Sequence, residues 1–417
     1  MAPGGLSANK RGLGIDVLTA AQQRIARTFD DFPNVYASFS GGKDSGVLLE
    51  LAAREARKRR RKLGVLVVDL EGQYKHTVDF VATMLDRHAD AVEPYWVCLP
   101  LSLRNAVSQF QPQWQCWDPD QRGQWIRPLP NHPSVVNDPA FFEFFKRGME
   151  FEDFVPRFGE WYSERNGNRL TACLVGIRSD ESLNRYRTIA NWKKRKHAGL
   201  QWTTEVGARL FNVYPIYDWR TEDIWRFNGK EKVPYNRVYD LMHQAGLSIH
   251  QARLCQPYGD DQRKGLWLFH IIEPETWSRV VSRVQGANFG ALYATHTGNI
   301  MGRVKIEKPA SCETWQQYAA ALLASMPPPT ADHFRDKIAQ FLNWYSTRGY
   351  PGGDIPDDGP MTKESPSWKR ICKALLSYDY WCKGLSFSPP NNTRTYQSYK
   401  NHMRLKREKW GYDELTK

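Results

Sequence analysis

The sequence predicts an α/β protein built on a parallel sheet and continued by a helical C-terminal region. Three observations carry this. Short apolar runs at Val35–Phe39, Leu63–Leu70, Val92–Leu99 and Leu170–Ile177 have the length and the β-branched or aromatic content of buried strands. Helical spacing follows the first two, at Leu48, Leu49, Leu51 and Ala52 and again over His76–Arg87, which makes a βαβ pattern. From Lys308 onward the strand signals stop, and residues 312–347 form two helical patterns divided by Pro327, Pro328 and Pro329.

Residues 1–15 read as a flexible arm, and Val17–Phe29 as a helix leading to the turn Asp30–Pro33. The first strand then enters Ser40-Gly41-Gly42-Lys43-Asp44-Ser45. Gly41 and Gly42 let the backbone turn tightly, so that successive N–H groups point into one concavity at the start of a helix. Ser40 and Ser45 add hydroxyls, Lys43 a point charge, and the helix dipole favours an anion at this end. The helix ends in six basic residues, Arg57–Lys62, whose charge complements a helix C-terminus. A nucleic-acid patch and a solvated helix end account for them equally.

The second strand puts Asp69 and Glu71 at its carboxyl end, where open α/β sheets bind ligands. They are candidate nucleotide or metal contacts, with a plain turn carboxylate as the alternative. From Gln109 to Pro139, Pro112, Pro119, Pro128, Pro130 and Pro133 with Trp114, Trp117 and Trp125 exclude a helix or central strand. This is a lid or partner-facing insertion, spanning about 109–165 with the helical stretch Phe141–Tyr162 that follows.

The strand Leu170–Ile177 runs into Gly176-Ile177-Arg178-Ser179-Asp180-Glu181-Ser182-Leu183-Asn184-Arg185. Arg178 falls at the sheet's carboxyl edge, with Glu181, Ser182 and Arg185 on the first turns of the next helix. Two arginines so placed grip phosphate or sulfate oxygens bidentately, and Glu181 orients one of them. Arg187, Lys193, Lys194, Arg195 and Lys196 extend the positive face around Trp192. In the stretch Phe211–Trp225, Thr221 is the expected N-cap, with Trp219 and Trp225 packing the helix on the sheet. Cys255, in the turn-rich Arg253–Arg263, is a nucleophile only if the nearby arginines lower its pKa; a small core residue is the simpler account. Trp267–Val284 reads as helical, Asn288–Ile300 as a Gly-rich loop with His296, and Tyr350–Pro360 as a linker. Ser367–Lys383 and Tyr396–Lys409 are helical and basic, suited to phosphates or an acidic partner.

At 417 residues the chain is long enough for one large or two ordinary cores. It has no apolar run of membrane-spanning length and no signal-peptide centre in Met1–Gly14, which together predict a cytoplasmic protein with no membrane partner. Seven cysteines without a C-x-x-C pair predict reduced thiols and give no support to a zinc or iron–sulfur site. The net charge of +13 favours anionic ligands such as nucleotides or nucleic acid. The 16 tryptophans fit core and contact packing better than base stacking.

The loop Ser40–Ser45 resembles the PP-loop of the ATP pyrophosphatases and lacks the Walker A spacing. Asp69, Tyr74, Thr77 and Phe80 resemble the second-strand motif of the phosphoadenosine phosphosulfate (PAPS) reductase and ATP sulfurylase branch, with Leu70 in place of the usual Thr. Gly176–Arg185 resembles the substrate-anion motif of the PAPS reductase family. Pro215–Trp225 and the Pro-Tyr turn at 233–242 resemble further family segments, the latter opening a helix beside the substrate site. The whole chain is similar to a bacterial and phage subgroup that includes the immunoglobulin-binding regulators.

The resemblance implies an adenine nucleotide α-hydrolase-like fold, a mainly parallel five-stranded sheet with helices on both faces, over residues 16–307, with a helical basic region at 308–417. It also implies ATP or a related adenine nucleotide with Mg2+, and no iron–sulfur cluster. Ser40, Gly41, Gly42, Lys43, Asp44, Ser45, Asp69, Glu71, Arg178, Glu181, Ser182 and Arg185 are then nucleotide contacts, and Lys43, Asp44, Arg178 and Arg185 the catalytic candidates. The reductase's Glu-Cys-Gly tail and the cysteine cluster of adenylyl-sulfate reductases are both missing. The expected activity is therefore attack on the α-phosphate of ATP with pyrophosphate release. Sulfonucleotide reduction through Cys255 or a C-terminal cysteine is one alternative. Another is a nucleotide-dependent regulator or DNA-modification and phage-defence component, acting on nucleic acid or with a ParB/sulfiredoxin-like partner.

Overall fold

The strands of the computed structural model are β1 (Asn34–Ser38), β2 (Leu63–Val68), β3 (Val92–Val97), β4 (Ser102–Arg104), β5 (Gln113–Gln115), β6 (Val135–Val136), β7 (Thr171–Val175), β8 (Thr203–Gly207) and β9 (Leu210–Val213). Seven of them make one sheet in the order β6-β3-β2-β1-β7-β9-β8. The body of the sheet is the five parallel strands β3, β2, β1, β7 and β9; β6 adds a short parallel edge and β8 an antiparallel one. The mainly parallel α/β sheet expected from the sequence is thus present, with two edge strands beyond the five. Strands β4 and β5 pair separately. The structure describes residues 12, 14–108, 111, 113–190, 194–254, 258–259, 265–284, 287, 307–326, 328–359, 365–376, 379 and 382–385, the side chains at 270, 329, 330 and 383 excepted. Most of the N-terminal arm, Trp192, Lys193, Cys255, the 288–300 loop and the basic stretch 396–409 lie outside the described residues.

Helix α1 (Val17–Asp31) precedes β1, and Asp16 caps it by accepting from the Thr19 amide. Helices α2 (Lys43–Lys58) and α3 (Lys75–Arg87) make the β1-α2-β2 and β2-α3-β3 crossovers. Helix α4 (Phe151–Arg165) belongs to the return from β3 to β7, in the opposite direction across the sheet. Right-handed crossovers therefore put α2 and α3 on one face and α4 on the other. Tyr36 of β1 packs on Phe158 and Tyr162 of α4, and a Cβ at Gly64 would stand 2.7 Å from the Tyr162 ring. On the other face Phe80 of α3 reaches Phe39. The further helices up to residue 284, among the described residues, are α5 (Leu183–Ile189), α6 (Thr221–Glu231), α7 (Val238–Gln244), α8 (Leu266–Ile272) and α9 (Pro274–Arg283).

Element boundaries differ from the sequence reading where local chemistry decides them. The helix expected over Phe141–Tyr162 begins at Phe151, because Pro139–Phe141 is a single 3-10 turn capped by Asp138. The stretch Trp267–Val284 divides before Pro274, which cannot continue a helix donor ladder. Thr221 is the first residue of α6 rather than its cap; the Asp223 carboxylate accepts from the Arg220 amide at 2.8 Å.

The basic run at the end of α2 is mostly committed to the fold. Arg57 grips Asp90 through two 2.6 Å bonds. Arg59 pairs with Glu55 and Asp30, and Arg61 donates to the Phe29 and Phe32 carbonyls at 2.6 and 3.0 Å. These arginines fasten the helix end to neighbouring turns, which neutralises much of the charge.

The described chain forms two compact units, one of residues 1–104, 113–257 and 267–284, the other of 105–112, 258–266 and 285–417. In the second, α10 (Trp315–Ala324), α11 (Pro328–Ser346) and α12 (Trp368–Leu376) pack Trp315, Phe334, Phe341, Tyr345, Ile371 and Leu375 into a core of its own. The division of α10 from α11 falls at the three prolines, as the sequence predicts. Among the described residues no helix is long and apolar enough to cross a membrane.

Helices α2 and α3 are bolted by Glu50, which is 2 % exposed and receives His88 Nε2 at 2.9 Å, Arg54 Nε at 2.8 Å and Arg87 Nε at 3.0 Å. Burial alone would raise its carboxyl pKa; the three hydrogen bonds together hold it well below the usual range. A depressed folded-state pKa contributes stability that is present above the unfolded value of 4.5 and is lost as pH falls through the folded value. Glu50→Gln should therefore destabilise the protein at pH 7 by about 3 kcal/mol, the cost of removing the buried carboxylate shared by His88 and two partly exposed arginines. Urea midpoints of wild type and variant should converge as pH is lowered below about 4.5.

Candidate functional site

The strand order reverses beside β1, since β2 and β3 lie on one side and β7 and β9 on the other. Open parallel sheets bind ligands outside the carboxyl ends of the strands at such a switch point. Ser38 at the end of β1 pairs with Val175 at the end of β7. The two strongest sequence signals, Ser40–Ser45 and Gly176–Arg185, therefore leave the sheet side by side.

Gly41 has φ +70°, the left-handed region that favours glycine, and a Cβ there would stand 2.7 Å from Thr77 Cγ2. Gly42 is the N-cap of the 16-residue α2 and has no side chain to cap with. The first-turn amides of a helix have no intrahelical acceptor, so this start is suited to an anion. Ser40 Oγ and Ser45 Oγ are hydrogen-bonded at 3.0 Å, and Ser45 Oγ donates to the Gly42 carbonyl at 3.2 Å. Gly176 allows β7 to close on the loop: a Cβ there would lie 2.9 Å from Ser45 Cα and 3.0 Å from Ser45 N.

Three charges meet at this point. Arg178 Nε donates to Asp44 Oδ1 at 2.5 Å, and Lys43 Nζ is 3.4 Å from Asp44 Oδ2. Arg178 is 2 % exposed and Lys43 4 %. Two buried cations share one carboxylate, leaving a net positive charge beside the helix N-terminus.

Of the residues singled out from sequence, Ser40, Gly41, Gly42, Lys43, Asp44, Ser45 and Arg178 are thus brought together. Glu181 and Ser182 precede α5, where Ser182 Oγ accepts from the Arg185 amide at 3.3 Å as its N-cap. The Arg185 side chain is half exposed, with Nε 3.9 Å from Glu181 Oε2. Asp69 and Glu71 are fully buried and fasten the Trp-rich insertion. Asp69 accepts from Trp96 Nε1 at 3.0 Å and pairs with Arg127, and its carbonyl accepts from Trp117 Nε1 at 2.8 Å. Glu71 accepts from the Trp117 amide at 2.6 Å, the Ile126 amide at 2.9 Å and Arg283 Nε at 3.4 Å. Burial raises the Glu71 carboxyl pKa despite these donors. The insertion is accordingly a fixed wall, with Trp114 and Trp117 each 2 % exposed.

Sequence reasoning placed the 233–242 turn beside the site without naming the residues that touch it. Asn236 Nδ2 donates to the Gly41 carbonyl and to Thr77 Oγ1, both at 2.9 Å. The Lys43 amide donates to Tyr239 Oη at 3.1 Å, and Lys43 Nζ donates to the Ala252 carbonyl at 3.2 Å. The one available signal was the Pro-Tyr-Asn spacing of that turn.

Among the described residues no group of three or more His, Cys, Asp or Glu is placed to hold a metal ion. Five of the six described cysteines are buried. Burial pushes the Cys173, Cys372 and Cys382 thiols up to about 12, and Cys98 and Cys116 well above their ordinary value. Such thiols are poor nucleophiles.

An anion cradle and an arginine at the switch point of a parallel sheet define a PP-loop protein of the α/β class. Residues 159–245, which include Arg178 and Tyr239, match the phosphoadenosine phosphosulfate reductase domain, and residues 246–358 match a domain of unknown function (DUF3440). The chain is 43% identical over 409 residues to uncharacterized protein YbdN of Escherichia coli, covering 97% of this chain and 98% of that one. It is 25% identical over 256 residues to sulfate adenylyltransferase subunit 2 of Rhizobium tropici, covering 58% and 71%. Adenosine 5'-phosphosulfate reductase 2 of Bacillus subtilis is 26% identical over 98 residues, 24% of this chain and 36% of that protein. The chain belongs, with YbdN, to the PAPS reductase-like family of PP-loop proteins.

Gly176→Ala tests the closure of the two motifs. The added Cβ meets backbone rather than a movable side chain, so the variant should lose about 1–3 kcal/mol of stability. Its affinity for inorganic pyrophosphate should fall more than its thermal midpoint explains, as measured by titration calorimetry beside a melting curve.

Proposed function

We propose that the protein binds an adenine nucleotide at the β1/β7 switch point and acts at the α-phosphate of ATP, with pyrophosphate leaving into the Ser40–Ser45 cradle. The Lys43–Asp44–Arg178 cluster carries this reading, because it joins the helix-start anion site to the arginine of the second motif. An acceptor oxygen forms a bond to the α-phosphorus, the bond from that phosphorus to the α,β-bridging oxygen breaks, and the acceptor's proton passes to solvent. Lys43 and Arg178 offset the charge that develops on the departing pyrophosphate, and Asp44 holds both cations in place. Arg185, on the helix after Arg178, is assigned to the α-phosphate or acceptor side. Mg2+ would be carried mainly by the nucleotide's own oxygens, as it often is, with Asp44 the carboxylate nearest to it.

The kinship to a sulfate adenylyltransferase subunit agrees with this reading. A sulfonucleotide reductase needs a reactive thiol, and the buried Cys98, Cys116, Cys173, Cys372 and Cys382 are poor candidates for that role, while Cys255 lies outside the described residues. Purified protein given ATP should release pyrophosphate and AMP, water serving as acceptor. Lys43→Ala and Arg178→Ala should each lower the rate at least about 100-fold, whereas Lys62→Ala, beyond the far end of α2, should not. Equal pyrophosphate release from wild type and Lys43→Ala would rule the reading out.

A further inference from the structure

The Ser40–Ser45 cradle is completed from a distant segment. Tyr239 lies 196 residues after Lys43 and touches it twice. Its hydroxyl oxygen accepts from the Lys43 amide at 3.1 Å, and Lys43 Nζ stands 5.1 Å from its ring centroid. The hydroxyl also borders the cradle's mouth: a Cβ on Gly42 would lie 3.5 Å from Tyr239 Oη, 3.4 Å from Ser40 Oγ and 3.8 Å from Ser45 Oγ. Three hydroxyls thus converge on Gly42. Tyr239 is 4 % exposed, and Trp225 packs edge-on at 5.6 Å. Asn236, three residues earlier, fixes the Gly41 carbonyl.

We propose that Tyr239 is a positioning residue for the pyrophosphate half of the site: it sets the direction of the Lys43 amide and the height of the Lys43 ammonium over the cradle. This rests on the reading of Ser40–Ser45 as a pyrophosphate cradle. Among the described residues the ammonium has three neighbours, the Asp44 carboxylate, the Ala252 carbonyl and the Tyr239 ring. The ring attracts a cation through its negative face. The hydroxyl holds an amide at the first helical position, where no carbonyl of the helix can reach. A side chain that fixes both donors of one lysine controls how they meet the same anion.

The probes are inorganic pyrophosphate and AMP, titrated calorimetrically against the full chain, with a melting curve for each variant. Tyr239→Phe keeps the ring and loses the hydroxyl; pyrophosphate affinity should fall about fivefold, the worth of one hydrogen bond, with AMP affinity unchanged. Tyr239→Leu also removes the ring and should weaken pyrophosphate about tenfold further. In pyrophosphate release from ATP, Tyr239→Phe should lower kcat more than it raises KM. Unchanged pyrophosphate affinity in Tyr239→Phe, or an equal loss of AMP affinity, would overturn the proposal. Tighter pyrophosphate binding would also overturn it, since the hydroxyl would then be occupying the anion's place. If wild type binds neither pyrophosphate nor ATP, the cradle itself has been misassigned, a result separable from failure of Tyr239 alone.

Discussion

The Asp44 carboxylate links chain segments 134 residues apart, taking Arg178 Nε at 2.5 Å on one oxygen and Lys43 Nζ at 3.4 Å on the other. An arginine and a lysine that are both nearly inaccessible to water would repel each other at this range, and neither would be stable without a shared anion. The carboxylate lets the sheet bring both cations to one place before any ligand arrives. Much else in the α/β unit is arranged around that contact. Gly176 permits β7 to come within van der Waals reach of the loop, and Asn236 and Tyr239 hold the loop through the Gly41 carbonyl and the Lys43 amide.

A second constraint shapes the wall beside β2. Asp69 and Glu71 sit where strand-end carboxylates of an open sheet commonly meet ligands, yet their oxygens are turned to tryptophan N–H groups, backbone amides and arginines of the insertion and of α9. A segment with six prolines pairs in a sheet only over the short β5 and β6. Buried carboxylates from the sheet provide acceptors in its place, and the tryptophans fill the volume. The insertion is consequently built as part of the framework of the unit.

The fold was legible because a parallel sheet writes itself into sequence as apolar runs with helical spacing between them, and β1, β2, β3 and β7 were each found within two residues of their ends. Gly41, Gly42, Lys43 and Arg178 were legible for a different reason, since glycine and charge at a strand-to-helix turn have few other uses. Tyr239 and Asn236 were not, because a tyrosine on a short amphipathic helix looks the same whether it faces the core or a distant lysine. The roles of Asp69 and Glu71 were also hidden: a carboxylate at a strand end has one appearance in sequence and takes its partner from segments far along the chain. The six basic residues at the end of α2 read equally as a nucleic-acid patch or a solvated helix end, and their partners Asp30, Asp90 and the Phe29 carbonyl appear only when α1 and the α3–β3 turn are folded against them.

A crystal structure of the protein with α,β-methylene-ATP measures directly whether a nucleotide lies across the β1/β7 switch point and in which direction. The β- and γ-phosphates should sit against the backbone of residues 41–45 beside Lys43, with the α-phosphate on the Arg178 side. A nucleotide whose phosphates lie away from Ser40–Ser45, or whose adenosine occupies the loop, would contradict this placement.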